Sequence, residues 1–200
     1  NIRALKRYAV DNAEPSPVPV LAESTGKKVA VVGGGPGGLS AAYYLAVKGY
    51  KPTVFEKNAR PGGMMTYGIP SYKLEKDVID AEIQVLRELG VEIRCGVEVG
   101  KDVTIPQLRE QGYQAFYVAI GCQGGRLPGV PGDTAEGTDM AVSFLHRATE
   151  NQDQKLEGKV IVVGGGNVAV DCAMTAGRFG ASAVSMVCLE SRETMPASKS

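Results

Sequence analysis

Apolar positions in this chain fall into short valine-rich runs, separated by longer stretches with helical spacing. Lys28-Val29-Ala30-Val31-Val32 and Lys159-Val160-Ile161-Val162-Val163 alternate little, as expected of parallel strands covered on both faces. After the first run, Leu39, Ala42, Leu45 and Ala46 recur at helical spacing up to a stop at Gly49, and Thr53-Val54-Phe55 reads as the next strand, ending on Glu56. The pattern then predicts a helix over 76–89, strands over 91–95 and 115–120, a turn rich in proline and glycine over 127–132, and a helix over 140–149. After the second valine run come a helix from Asn167 to a stop at Gly180 and a strand over 184–189. Strands alternating with helices predict an α/β fold of two nested Rossmann-like, doubly wound dinucleotide-binding domains, the second incomplete in this chain. The divisions expected are an N-terminal arm or linker (1–26), a first doubly wound domain (27–133), a helical connection (134–157) and the start of a second (158–200).

Each valine run leads into a glycine-rich turn, Gly33-Gly34-Gly35-Pro36-Gly37-Gly38 and Gly164-Gly165-Gly166-Asn167-Val168-Ala169. In the first, Gly33 permits the tight turn, Gly35 lets the backbone approach a pyrophosphate, and Gly38 lets the helix pack closely on the strand. The helix N-terminus adds free N–H groups and the positive end of a dipole. Glu56, about 20 residues on, stands where a carboxylate accepts hydrogen bonds from the adenosine ribose. In the second turn Ala169 replaces the third glycine, a substitution the pattern allows. Asp171, one turn into the helix, reads first as a structural or capping group and second as a ligand contact. Two dinucleotide sites are implied, one for a tightly held flavin and one for an exchanging nicotinamide dinucleotide.

Composition narrows the setting. Lys and Arg (22) balance Asp and Glu (22), so the clustered basic face that nucleic-acid binding requires is absent. No apolar run approaches the ~20 residues of a membrane span, and the N-terminus has no signal-peptide core. A cytoplasmic protein is expected. The four cysteines, Cys95, Cys122, Cys172 and Cys188, form no Cys-x-x-Cys pair, which argues against a redox disulfide or an iron–sulfur site and for buried free thiols. No metal site is expected. The single His146 reads as a surface or packing residue.

The runs Asn1-Ile2-Arg3-Ala4-Leu5-Lys6-Arg7-Tyr8, Gly33 to Gly38, Pro61-Gly62-Gly63-Met64-Met65-Thr66-Tyr67-Gly68-Ile69-Pro70 and Ala119-Ile120-Gly121-Cys122-Gln123-Gly124 resemble the glutamate synthase small-subunit family. The resemblance extends to its relatives among NAD(P)H-dependent ferredoxin oxidoreductases and dihydropyrimidine dehydrogenases. It implies FAD in the first domain, NAD(P)H in the second, and hydride transfer from one to the other. Electrons would leave for iron–sulfur clusters outside this chain, in an attached domain or a partner subunit of a larger polypeptide or complex. Residues 1–25 would be the arm to such a domain, with Pro15, Pro17 and Pro19 marking an extended linker.

The resemblance also assigns contacts. Gly33, Gly35, Pro36 and Gly38 would hold the pyrophosphate turn, with Glu56 and Lys57 at the ribose. Gly62, Gly63 and Met64 would bring N–H groups to the flavin, and Tyr67 to Pro70 would loop over its ring with Ile69 in contact. Val97 would offer backbone groups to the adenine. Ala119 and Gly121 would permit close approach at the end of a strand. Gly164, Gly166, Asn167 and Val168 would serve the nicotinamide dinucleotide, with Glu190, Ser191 and Arg192 at its adenosine end. Relatives carry Tyr-Arg-Arg-Ser-Arg-Glu where this chain has Cys188-Leu189-Glu190-Ser191-Arg192-Glu193. A carboxylate at Glu190 suits a free 2′-hydroxyl and repels a 2′-phosphate, so NADH is expected over NADPH. No catalytic side chain is expected, because the hydride chemistry belongs to the cofactors. The alternatives are a pyridine-nucleotide disulfide-type reductase and a non-catalytic nucleotide-binding or scaffold subunit.

Overall fold

The computed structural model describes residues 1–13 and 19–197. The first strand, β1 (Lys28–Val32), opens a four-stranded parallel sheet with β2 (Lys51–Glu56), β3 (Glu92–Cys95) and β4 (Tyr113–Val118), in the order β3-β2-β1-β4. That order reverses the direction of winding once, beside β1. The connection from β1 runs outward to β2 and β3, then the chain returns to β4 on the far side of β1, which makes the C-terminal end of β1 a topological switch point, where ligands bind in open α/β sheets.

Both faces of this sheet are covered, as the valine runs predict. Val31 and Val54 pack with Ala42 and Ala46 of α2 (Pro36–Val47) and with Leu89 and Val91, while Leu39 packs with Ile79 and Ile83 of α4 (Lys76–Glu88). On the other face Ala30 and Phe55 pack with Leu108 of a short helix α5 (Ile105–Glu110) and with Tyr113. α5 has no apolar stripe long enough to announce it; the Thr104 hydroxyl and Gln107 side chain form a reciprocal capping box that closes its first turn. Gly112, at φ +90°, ends it and starts β4 at Tyr113. The strand therefore runs 113–118 rather than 115–120. Ala119 still donates to the Val32 carbonyl at 2.8 Å, but Ile120 and Gly121 lie beyond the ladder.

Two further elements bear on the arm and the loop. Residues 2–12 form a helix α1, capped by the Asn1 side chain and with no buried residue. Pro15 and Pro17, on which the extended-linker expectation rests, lie outside the described residues. Met64–Tyr67 forms a single helical turn, α3, directly after the Gly62-Gly63 pair.

The second unit contains β5 (Lys159–Val163) and β6 (Ala183–Val187), paired in parallel, with α7 (Asn167–Arg178) between them; α6 (Ala141–Glu150) packs on α7. Among the described residues, α7 covers one face of this pair. Ile161 at 68% and Val163 at 72% exposure stand on the other, so the run expected to be buried twice is buried once here.

Candidate dinucleotide sites

At the end of β1 the chain turns through Gly33 at φ +106°, and a Cβ there would lie 2.3 Å from the Ala119 carbonyl oxygen. At Gly38 a Cβ would lie 1.9 Å from the Gly33 carbonyl oxygen, so the helix packs on the turn without a side chain between them. Helix α2 starts at Gly35 with Pro36 in its first turn, no side-chain cap and no acidic residue there. Its N–H groups and positive dipole end are therefore available to an anion.

The loop after β2 is bonded to this turn. Gly62 N–H donates to the Gly34 carbonyl at 2.7 Å, and Gly63, at φ +56°, would place a Cβ 2.8 Å from Gly35 Cα. Gly35 and Gly63 thus bring bare backbone together side by side, with no side chain between them. Glu56 is 4% exposed. Its Oε2 accepts from Gly34 N–H at 2.7 Å and its Oε1 from Asn58 N–H at 2.9 Å. Each oxygen keeps acceptor capacity, which fits a ribose diol. A bare-backbone cradle, an uncapped helix start and a buried carboxylate at one switch point fit a flavin dinucleotide.

The remaining expected contacts divide. Lys57 is exposed. Val97 donates its N–H to the Glu56 carbonyl at 3.0 Å, so its carbonyl is the backbone group it has to offer an adenine. Met64 starts α3 and its carbonyl accepts from Ile69 N–H at 2.9 Å. Ala119 faces Gly33, whereas Gly121 has no neighbour within 4 Å of a built Cβ.

Sequence reasoning missed Lys76. Its ammonium donates to the carbonyls of Met65 (2.8 Å) and Ile69, pinning the segment between α3 and α4. Burial, with a smaller contribution from the Arg60 charge, lowers its pKa from the ordinary lysine value. The available signal was a lysine in the first turn of a helix, where the dipole disfavours a cation. Tyr67 was also missed as a brace; its hydroxyl accepts from Arg60 N–H at 2.8 Å, and its ring lies 4.3 Å from that of His146. His146 is a packing residue between the units.

The second turn repeats the first. Gly164, at φ +136°, donates to the Val187 carbonyl at 2.8 Å, just as Gly33 donates to Phe55 at 2.8 Å. A Cβ on Gly164 would sit 3.4 Å from the Ala169 methyl, an ordinary contact that accommodates alanine in place of the third glycine. α7 starts at Gly166 with Asn167 and Val168 in its first turn, and again with no side-chain cap and no acid there. Glu190 Oε2 would lie 3.3 Å from a Cβ on Gly165, as Glu56 Oε2 would lie 3.0 Å from one on Gly34. Ser191 hydroxyl donates to Glu193 at 2.7 Å, and Arg192 is exposed.

Of the two roles in the first reading of Asp171, structural or capping, the structure shows the structural one: it lies beyond the first turn of α7, 8% exposed, and its Oδ1 is 2.5 Å from the Lys73 ammonium and 3.4 Å from the Tyr72 hydroxyl. The expectation of buried thiols is corrected. Of the four free thiols, Cys172 alone is buried; Cys95 and Cys188 are half-buried and Cys122 is exposed. Burial pushes the Cys172 thiol up to about 11, with smaller contributions from Asp171 and Asp139. Among the described residues there is no group of His, Cys, Asp and Glu that would hold a metal ion, and no helix long and apolar enough to cross a membrane.

A parallel sheet with glycine turns at its switch point, repeated on a second strand pair, defines a two-dinucleotide α/β protein of the Rossmann type. Residues 27–199 match the family described as pyridine nucleotide-disulphide oxidoreductase, and the chain belongs to that family. It is 46% identical over 179 residues to the NADP(+)-dependent formate dehydrogenase subunit beta of Moorella thermoacetica, covering 88% of this chain and 25% of that protein. It is 36% identical over 202 residues to the NAD-dependent dihydropyrimidine dehydrogenase subunit PreT of Escherichia coli (strain K12), covering 100% and 48%. To the glutamate synthase (NADPH) small chain of Halomonas elongata it is 40% identical over 185 residues, covering 88% and 39%, which bears out the resemblance drawn from its motifs. The chain thus spans from a quarter to about half of these relatives' length. Mycobacterium tuberculosis FprA in complex with NADPH shares the fold, with a TM-score of 0.66 at 22% identity over 86% of this chain and 45% of that one.

Proposed function

We propose that this chain is the electron-input part of a flavoprotein oxidoreductase, taking FAD at the Gly33 turn and a nicotinamide dinucleotide at the Gly164 turn. The observation that carries this reading is the duplicated site: two glycine turns with the same hydrogen bond to the neighbouring strand and the same carboxylate beside the second glycine. When both cofactors are bound, they supply the chemistry of hydride transfer from nicotinamide to flavin, and no side chain has to act as acid or base. The chain's own residues do the rest. Helix starts at Gly35 and Gly166 receive the pyrophosphates, Glu56 and Glu190 the adenosine riboses, and the backbone of Gly62 to Ile69 shapes the flavin side and keeps water from it.

Glu190 favours NADH, since a carboxylate repels a 2′-phosphate, although Arg192 stands two residues on. The names of the relatives include both nucleotides. Electrons then pass one at a time to an iron–sulfur domain or subunit. A disulfide-type reductase is the less supported reading, because the chain has no Cys-x-x-Cys spacing and its cysteines are free.

The deciding experiment is an anaerobic titration of the full-length protein with NADH and, separately, NADPH, following oxidised-flavin absorbance. Bleaching is expected, more efficiently with NADH. A flavin-loaded protein that neither nucleotide bleaches would overturn the hydride reading in favour of a nucleotide-binding scaffold.

A further inference from the structure

Beyond the two turns lies the segment that joins them. From Gly62, bonded to the first turn, the chain passes through α3 and reaches Tyr72 and Lys73, which touch the helix of the second turn. Lys73 pairs with Asp171 at 2.5 Å; the Tyr72 hydroxyl donates to the same carboxylate at 3.4 Å, and the Arg178 guanidinium lies 3.8 Å from the Tyr72 ring centre. Asp171 and Arg178 are two turns apart on α7, so they present one face to the segment. A second pair of contacts comes from α6, where Thr149 donates to the Tyr67 carbonyl at 3.3 Å and His146 packs on the Tyr67 ring.

This segment is braced on the flavin side as well. Lys76 holds the carbonyls of Met65 and Ile69, and Arg60 N–H holds the Tyr67 hydroxyl. A continuous chain of bonded and packed groups therefore runs from Gly34 through Gly62, residues 64–73 and Asp171 to α7 and the second glycine turn. Asp171 is nearly buried and Lys73 is its ion-pair partner here. A carboxylate in that setting, without the cation, draws water or moves outward, and it would take α7 with it.

We infer that Asp171 and Lys73 are positioning residues that set the placement of the nicotinamide site relative to the flavin site. The inference rests on the two-cofactor reading above. Hydride transfer is steep in distance, since the reacting atoms must sit ~3–3.5 Å apart and a displacement of ~1 Å costs on the order of 100-fold in rate. An ion pair between the two units controls that distance.

The test uses the full-length protein with Asp171→Asn, Lys73→Met and the exchanged pair Lys73→Asp/Asp171→Lys. In each single variant, flavin reduction at saturating NADH should slow by about 10- to 100-fold, while FAD content and the NADH dissociation constant stay within about threefold. The exchanged pair should recover much of the rate. Independently of turnover, amide exchange in 167–178 should rise in the wild type when FAD is stripped, and should already be high in loaded Lys73→Met. If Asp171→Asn fails to fold, Lys73→Met, which removes only the half-exposed partner, carries the test. Wild-type rates in the singles, with exchange in α7 indifferent to both FAD and Lys73, would overturn the inference. A wild-type flavin that neither NADH nor NADPH reduces would instead sink the hydride reading, and the exchange result would then decide the positioning role by itself.

Discussion

Gly62 N–H donates to the Gly34 carbonyl at 2.7 Å, so the loop after β2 and the turn after β1 form one continuous backbone surface. Gly35 and Gly63 meet across it, and their substitution should separate binding from folding. A Cβ on Gly35, whose φ is −78°, would find Gly63 Cα at 3.8 Å, an ordinary contact. Gly35→Ala should fold with near wild-type stability and lose FAD, because the methyl occupies the approach path of the pyrophosphate. Gly63→Ala meets Gly35 Cα at 2.8 Å with φ at +56° and should lose about 1–3 kcal/mol of stability. Thermal melts alongside flavin-to-protein ratios read both, and a Gly35→Ala protein that keeps its flavin would rule out the close approach.

Glu56 is tied to two backbone amides, and the charge matters as much as the shape. Glu56→Ala leaves the Gly34 and Asn58 N–H groups unpaired, at about 1–3 kcal/mol each where they are buried. Glu56→Gln keeps one acceptor and offers the other amide a donor instead. Both variants should release flavin on gel filtration, Gln less than Ala.

For nucleotide choice, Glu190→Arg removes the repelling carboxylate and adds a guanidinium near Arg192. The ratio of kcat/KM for NADPH over NADH should rise at least about tenfold, the equivalent of ~1.4 kcal/mol. An unchanged ratio would show that Glu190 does not face the 2′ position.

Lys76→Met keeps the length of the side chain and removes the donors to the Met65 and Ile69 carbonyls. The flavin-side loop should loosen, seen as faster FAD dissociation and as new proteolytic cleavage within 64–74. Lys76→Arg should retain part of the clamp.

Thiol chemistry should be graded by burial. Iodoacetamide should modify the exposed Cys122 rapidly and Cys172 only after unfolding. The Cys172 thiol ionises near 9.0 when unfolded and at about 11 when folded, so the folded state holds more protons between these values. Stability should therefore fall as pH rises through that window. Denaturant melts at the two ends of the window should show this slope in the wild type and a smaller one in Cys172→Ala, with the Tyr67 and Tyr72 hydroxyls and the Cys95 thiol, each raised chiefly by burial, also contributing.

The local units follow from residues close together along the chain. Valine runs gave β1 and β5, glycine spacing gave both turns, and the acid that ends β2 gave Glu56, because strand, turn and helix starts depend on residues within a few positions of one another. The alternation of these units also fixed the fold class. Other features depend on partners far apart in the chain. Tyr113 starts β4 early because Phe55 packs against its ring, and Asp171, one turn into its helix, takes its partner from Lys73, far back in the chain. Lys76 braces two carbonyls from a position that its own helix disfavours. No period or motif encodes such pairings, since a buried charge takes whichever counter-charge the packed chain brings within reach.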